Sequence, residues 1–226
     1  MNKITAILFA PAAALLLGTA LAAETEISTD KQKLSYALGI YFSQGIAQQD
    51  VELDAPAFLQ AVEDALLGSD LKLSPGEIQQ VLDQYQRQLT AERAAAADSN
   101  QAAGEKFLRE NGEKKDIVKL PSGLQYRVIR AGSGPSPAPD SSVKVHYQGT
   151  LINGTVFDSS YERGEPVVLT LNRVIKGWQE ALPLMTVGSK WQIYVPSELA
   201  YGQRGAGNSI GPNETLIFDI ELIEIM

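Results

Sequence analysis

The chain has 226 residues, with 19 Lys+Arg, 27 Asp+Glu, one His, no Cys, a formal net charge of −8 and 44% hydrophobic residues. That length fits one or two domains at about 150 residues each, the apolar share suffices for a packed core, and the acidic balance lacks the footprint of a nucleic-acid binder. Without Cys there is no disulfide framework, thiol nucleophile or Fe–S cluster, and a single His removes multi-His metal sites, so neither metal nor cofactor is expected.

The first 22 residues have the pattern of a secretory signal peptide: Lys3, a short apolar stretch Ile4–Leu17 broken by Pro11, then Ala20-Leu21-Ala22 before the polar Glu24-Thr25-Glu26. The alternative, a membrane anchor, needs about 20 uninterrupted apolar residues. Cleavage would start the mature chain near Ala23 and export it to the periplasm. Outer-membrane association and surface exposure stay open.

From about 28 to 112 the pattern is helical. Thr29 and Gln32 have capping-box spacing, and Leu34, Leu38, Tyr41, Phe42 and Ile46 share one face. Asp54 and Pro56 open a second helix carrying Phe58, Leu59, Val62, Leu66 and Leu67, which Gly68 ends. Ser74-Pro75-Gly76-Glu77 starts the third, where Ile78, Leu82, Tyr85 and Leu89 form a seam. After Leu89 the apolar stripe stops, and Ala, Glu, Asp, Gln, Arg and Lys run to Asn111-Gly112. This predicts a solvated strut between domains, within a helix ~54 Å long. Narrow stripes on so small a module favour a homodimer through residues 23–73. The alternative is a marginal monomeric bundle. The long connecting helix covers 74–112, its first part packed in the dimerisation domain.

From 117 onward the period becomes two. Leu124, Tyr126 and Val128; Val143, Val145 and Tyr147; Val167, Leu169 and Leu171; Trp191, Ile193 and Val195; and Leu216, Phe218, Ile220 and Leu222 mark strand faces. Asn153-Gly154 is a hairpin turn. One short helix is expected over Ile175 to Leu184, opening near Gly177-Trp178. The C-terminal 110 residues therefore read as an α+β domain, an antiparallel sheet with one helix on it. His146 falls on the polar face of its strand and reads as a solvated surface residue. Gly202-Gln203-Arg204-Gly205-Ala206-Gly207 lacks the strand–helix context of a phosphate loop. Tyr147, Phe157-Asp158, Val174-Ile175, Trp178, Tyr201 and Phe218 form an apolar set with a few lone polar groups. They could converge on a small-ligand pocket, although periodicity alone reads them as ordinary core.

The blocks Val145-His146-Tyr147-Gln148-Gly149-Thr150-Leu151, Asn153-Gly154-Thr155-Val156-Phe157-Asp158-Ser159-Ser160, Val174-Ile175-Lys176-Gly177-Trp178, Leu199-Ala200-Tyr201-Gly202 and Thr215-Leu216-Ile217-Phe218-Asp219-Ile220-Glu221-Leu222 closely resemble the FKBP-type peptidyl-prolyl isomerases. The N-terminal half, with Ser35-Tyr36-Ala37-Leu38-Gly39, is similar to the dimeric Mip-like bacterial subgroup. The resemblance implies a half-barrel sheet wrapped around one helix over 117–226, and isomerisation of X–Pro bonds in unfolded or proline-containing polypeptides. Tyr147, Phe157, Asp158, Val174, Ile175, Trp178, Tyr201 and Phe218 would line its pocket, with Trp178 as the floor. Arg163 would partner Asp158, and Ile210 would meet the substrate from a loop. On that basis Tyr201 is assigned as donor to the substrate carbonyl. Asp158 is assigned to orient the pocket and interact with the bound amide. Macrolide inhibitor binding is also implied. However, Val167 stands where Phe is frequent, and Ala206, Ser209 and Gly211 lie where bulkier residues are usual. That widens the pocket and leaves macrolide affinity open. Two other functions compete: a dimeric holdase chaperone with incidental isomerisation, and a surface virulence factor.

Overall fold

The computed structural model describes residues 26–47 and 51–226, so the expected signal peptide lies outside the described residues. The chain divides into two compact units, one ending at Lys72 and one running from Leu73 to Met226.

In the first unit, α1 spans Asp30–Ala47 and α2 spans Ala55–Leu67. Both begin at local caps. The Thr29 amide donates to Gln32 Oε1 at 2.9 Å while the Gln32 amide donates to Thr29 Oγ1 at 3.3 Å. Asp54 accepts from the Ala57 amide at 2.9 Å, and Gly68 closes α2 at φ 68, a left-handed conformation open to glycine. The apolar stripes stay uncovered: no residue of α1 is buried, and Tyr41 and Leu66 are 78% and 82% exposed. Phe42 and Phe58 stack at 6.3 Å, yet the described residues of this unit bury no apolar core.

The second unit opens with α3, Pro75–Asn111. Its capping box is complete, with the Ser74 amide donating to Glu77 Oε2 at 2.8 Å and the Glu77 amide to Ser74 Oγ at 3.3 Å. The Ser74 amide, then its hydroxyl, holds the Glu77 carboxyl below its ordinary range. The later part of α3 is not the free strut expected from its polarity. Gly104 is buried where a Cβ would collide with Thr215, Phe107 lies 5.9 Å from Tyr194, and Gln125 Nε2 donates to the Leu108 carbonyl at 2.7 Å. Apart from the lone Phe107 ring, a missing side chain and a bond to a backbone carbonyl make this contact, so hydrophobic periodicity could not register it.

Seven strands follow: β1 (Val118–Lys119), β2 (Gln125–Arg130), β3 (Ser142–Leu151), β4 (Val156–Ser159), β5 (Val167–Thr170), β6 (Lys190–Val195) and β7 (Leu216–Ile225). They form one antiparallel sheet in the order β1-β2-β6-β7-β3-β4, with β5 paired to the start of β3. The hairpin before β4 turns at Gly154, φ 90, where Asn153 Oδ1 accepts from the Thr155 amide at 2.9 Å. Helix α4 covers only Lys176–Ala181, and Leu182–Leu184 tightens into a 3-10 turn. Pro183 has no amide hydrogen to continue the helical ladder. The core lies between α4 and the sheet. Val143, Val145, Leu171, Leu182, Met185, Ile193, Val195, Leu216, Ile220 and Leu222 are fully buried. Along β2 the expected face breaks: Tyr126 stacks on Trp191 at 4.2 Å, but Val128 is 46% exposed.

Candidate active site

Successive side chains on a strand point to opposite faces. The inward face of β3 therefore runs from Val143 and Val145, both buried, to Tyr147 and then Gly149. Gly149 pairs with Asp158 of β4 and Phe218 of β7. A Cβ there would lie 2.5 Å from the Phe157 ring and 2.9 Å from Phe218. The glycine is what lets the two rings meet, edge to face at 5.6 Å. Trp178 rises from α4 and stands edge-on to both Tyr147 and Phe218, each at 5.2 Å and 84°. Helix α4 comes this close because Gly177 faces Val195, where a Cβ would sit 2.5 Å from Cγ1.

These residues bound a cavity of about 510 Å³. Eight of the ten expected site residues line it: Tyr147, Phe157 and Asp158; Val174, Ile175 and Trp178; Tyr201 and Phe218. Arg163 reaches it indirectly. Its guanidinium donates to Asp158 Oδ1 at 2.5 Å and to the Tyr147 hydroxyl at 3.0 Å, and sits 5.6 Å from the Tyr147 ring centroid. Tyr147 in turn donates to the other oxygen of Asp158. Ile210 is not among the lining residues. It is 8% exposed and packs into the core, where its backbone exchanges hydrogen bonds with Ala206 at 2.9 and 3.1 Å. Leu169 and Arg173 also line the cavity, beside Val167, although neither is expected there from the sequence. Leu169 could have been found, since it shares the Val167 strand face. Arg173 had no signal beyond adjacency to Val174.

His146 also departs from expectation. It is half-buried, its Nδ1 lies 2.9 Å from Ser160 Oγ, and its ring stacks on Tyr161 at 4.6 Å. Between the stretches of β3 that pair with β5 and β4, Ser160 takes over the pairing. Its hydroxyl accepts from the Tyr147 amide at 2.8 Å, and its own amide donates to the Tyr147 carbonyl at 3.0 Å. A polar strand face is therefore covered here by a turn that the alternation could not foretell.

The electrostatics keep each group in one protonation state. Burial pushes the Asp158 carboxyl up, but hydrogen bonds from Tyr147 and Arg163 outweigh it and hold it below the ordinary 3.8. Burial, then the bond to Asp158, raises the Tyr147 phenol. Burial and the nearby Asp158 charge raise that of Tyr201 above its ordinary 10.0. Asp158 is thus a carboxylate and both phenols are neutral near pH 7. Two donors occupy Asp158, whereas the Tyr201 hydroxyl makes no hydrogen bond among the described residues. The cavity can take an apolar ring against Trp178 and Phe218 and offer one unused O–H at its edge.

Residues 134–223 match the family described as FKBP-type peptidyl-prolyl cis-trans isomerase, and residues 31–128 match the domain amino terminal to it. The chain is 43% identical over 215 residues to the peptidyl-prolyl cis-trans isomerase Mip of Coxiella burnetii, covering 93% of this chain and 94% of the relative. It is 44% identical over 217 residues to the outer membrane protein MIP of Legionella longbeachae, covering 93% of each. The crystal structure of FkpA from Escherichia coli is similar at a TM-score of 0.61 and 36% identity, covering 88% of this chain and 98% of that one. With both of its halves matched in order and its sheet folded around that cavity, this chain belongs to the FKBP-type peptidyl-prolyl cis-trans isomerases.

Proposed function

We propose that the cavity bounded by Tyr147, Asp158, Trp178, Tyr201 and Phe218 is where this isomerase turns an X–Pro bond, and that Tyr201 donates to the carbonyl preceding the proline. The single observation behind this reading is the Tyr201 hydroxyl, without a hydrogen bond among the described residues, on an aromatic cavity whose Asp158 carboxylate is already held by Tyr147 and Arg163. Rotation breaks no covalent bond, but it crosses a barrier of ~18–20 kcal/mol set by amide resonance. The twisted amide is less polar than the planar one, so a water-poor cavity disfavours the planar ground state. A fixed donor aimed at the displaced oxygen lowers the barrier further. A rate gain of about 10⁴ requires only about 5.5 kcal/mol. Trp178 forms the floor under the prolyl ring, and Phe157, Val174, Ile175 and Phe218 its walls. Asp158, held by Arg163 and Tyr147, fixes the polar rim and meets the bound amide. A macrolide presenting a proline-like ring would compete for the same cavity, loosely because Val167 fills less of its wall.

The N-terminal residues 23–73 serve in this proposal as a homodimerisation module, supported by the uncovered faces of α1 and α2. Residues 74–112 form the connecting helix and 117–226 the isomerase domain. Residues 1–22 direct export to the periplasm, and the clients are exported polypeptides awaiting prolyl isomerisation. A second reading, chaperone holding of unfolded clients, draws on the same exposed apolar faces.

The test is refolding of a client limited by prolyl isomerisation, with gel filtration of the same sample. The purified chain should accelerate the slow phase and elute as a dimer. Tyr201→Phe should lose most of the acceleration while retaining its fold. Full turnover by that variant would remove the donor role. Suppression of aggregation of a proline-free client would establish the holding activity separately.

A further inference from the structure

The loop from Gly202 to Glu214 connects Tyr201 to β7 and holds little regular structure of its own: a 3-10 turn over Gly202–Arg204 and the Ala206–Ile210 bridge. Its outer side is tied to the second half of α3. Arg93 donates to the Arg204 carbonyl at 2.5 Å, and Asn100 Nδ2 donates to the Pro212 carbonyl at 2.9 Å. In return Asn213 Nδ2 donates to the Ala97 carbonyl at 3.3 Å and to Gln101 Oε1 at 3.4 Å. Asn213 is 8% exposed and the only described non-glycine residue with positive φ, at 56. Such strain persists where surrounding contacts over-determine it. Between helix and loop lies a cavity of about 340 Å³ bordered by Arg93, Gln101, Gln203 and Asn213. Along this stretch helix and loop are joined by side-chain hydrogen bonds beside the cavity, and they pack closely only further on, where Gly104 meets Thr215.

We infer that α3 is a positioning element of the isomerase site, with Arg93, Asn100 and Asn213 fixing the loop that departs from Tyr201 and returns to the strand bearing Phe218. The loop reaches the cavity at both ends, through Tyr201 and Phe218, and its middle is anchored by the buried Ile210. Releasing the outer ties lets the segment sample other placements, and only a fraction of molecules then presents the bound-state geometry. The effect falls on how well the rim accommodates the residue preceding proline. The inference rests on the placement of Tyr201 in the site, not on its role as donor.

The experiment measures kcat/KM of the full chain on peptides with Leu-Pro, Ala-Pro and Glu-Pro bonds, beside thermal unfolding. Asn100→Ala and Asn213→Gly, the latter tolerating positive φ, are expected to lose about threefold to tenfold in kcat/KM. They should also shift the Leu-Pro to Ala-Pro ratio, and Arg93→Lys should keep both parameters where Arg93→Ala does not. Asn111→Ala is the control for general loosening of α3, because Asn111 bonds Gln125 at 2.9 Å away from the loop. It should lower Tm and leave the peptide ratio unchanged. Parental kcat/KM and ratios in all three tie variants, or the same ratio shift in Asn111→Ala, would overturn the inference. If the buried Asn213 variant does not fold, the comparison of Arg93→Ala with Arg93→Lys at the exposed end of the loop decides the matter. Tyr201→Phe in the same assay separates the two readings: its full turnover ends the donor role, while the ratio shift still tests the helix.

Discussion

Gly149→Ala probes the cavity through a single methyl group. The new Cβ would lie 2.5 Å from two atoms of the Phe157 ring and 2.9 Å from Phe218. Ordinary carbon contacts begin near 3.5 Å, so the Phe157 ring must withdraw by about 1 Å, and Phe218, 4% exposed, has little room on the other side. Overpacking of this kind costs about 1–3 kcal/mol, and each kcal/mol lowers Tm by about 2–4 °C for a chain of this size. Displacing the ring also disturbs an edge-to-face contact worth about 0.5–1.5 kcal/mol, which converts to about twofold to tenfold in kcat/KM. The assay pairs thermal unfolding with peptide isomerisation, using Gly76→Ala for comparison, since nothing lies within 4 Å of a Cβ there. Gly149→Ala with parental Tm and parental kcat/KM would refute the claim that this glycine permits the aromatic cavity.

The pH profile and α4 supply two further expectations. Asp158 carries a lowered pKa in the fold, so its contribution to stability is complete above the ordinary 3.8 and is lost as pH falls through the lower folded value. Because the Tyr201 phenol is raised, kcat/KM should stay level from neutral pH to about 10. Arg163→Met should move the acid limb upward, leaving burial less opposed, and an unmoved limb would separate Arg163 from Asp158. Gly177→Ala sets two effects of opposite sign against each other. Helix propensity favours Ala, by less at this second helical position than the roughly 1 kcal/mol of a helix interior, but its Cβ would be 2.5 Å from the buried Val195. A lowered Tm with altered Trp178 fluorescence is expected, whereas a raised Tm would refute the close seating of α4.

The parts legible in the sequence were those with local causes. Thr29, Asp54, Ser74 and Gly68 mark helix ends because caps are made within a few residues. Leu216, Phe218, Ile220 and Leu222 mark one strand face because all four are buried in a single layer. The gathering of Tyr147, Asp158, Trp178 and Tyr201 needed the family resemblance, since periodicity cannot distinguish a cavity wall from a core. Contacts made by polar or absent side chains stayed hidden. Gly104 beneath Thr215, Asn100 on the Pro212 carbonyl and His146 against Ser160 each depend on a partner distant in sequence. Ile210, expected from the resemblance to meet the substrate, is 8% exposed and packs into the core, a burial that its place in a Gly- and Pro-rich loop could not foretell.

The sheet places its last strand in chain order in its interior, since β7 lies between β6 and β3, pairing with β3 along its length and with β6 over Leu216–Glu221. During vectorial synthesis, β2 with β6 and β3 with β4 can pair early, but the two halves have no seam until Leu216–Ile225 emerges. A ribosome-bound chain lacking that strand has neither a continuous sheet nor the Phe218 wall. The catalyst of a slow folding step must therefore complete its own most non-local strand pairing before it can act on any other chain.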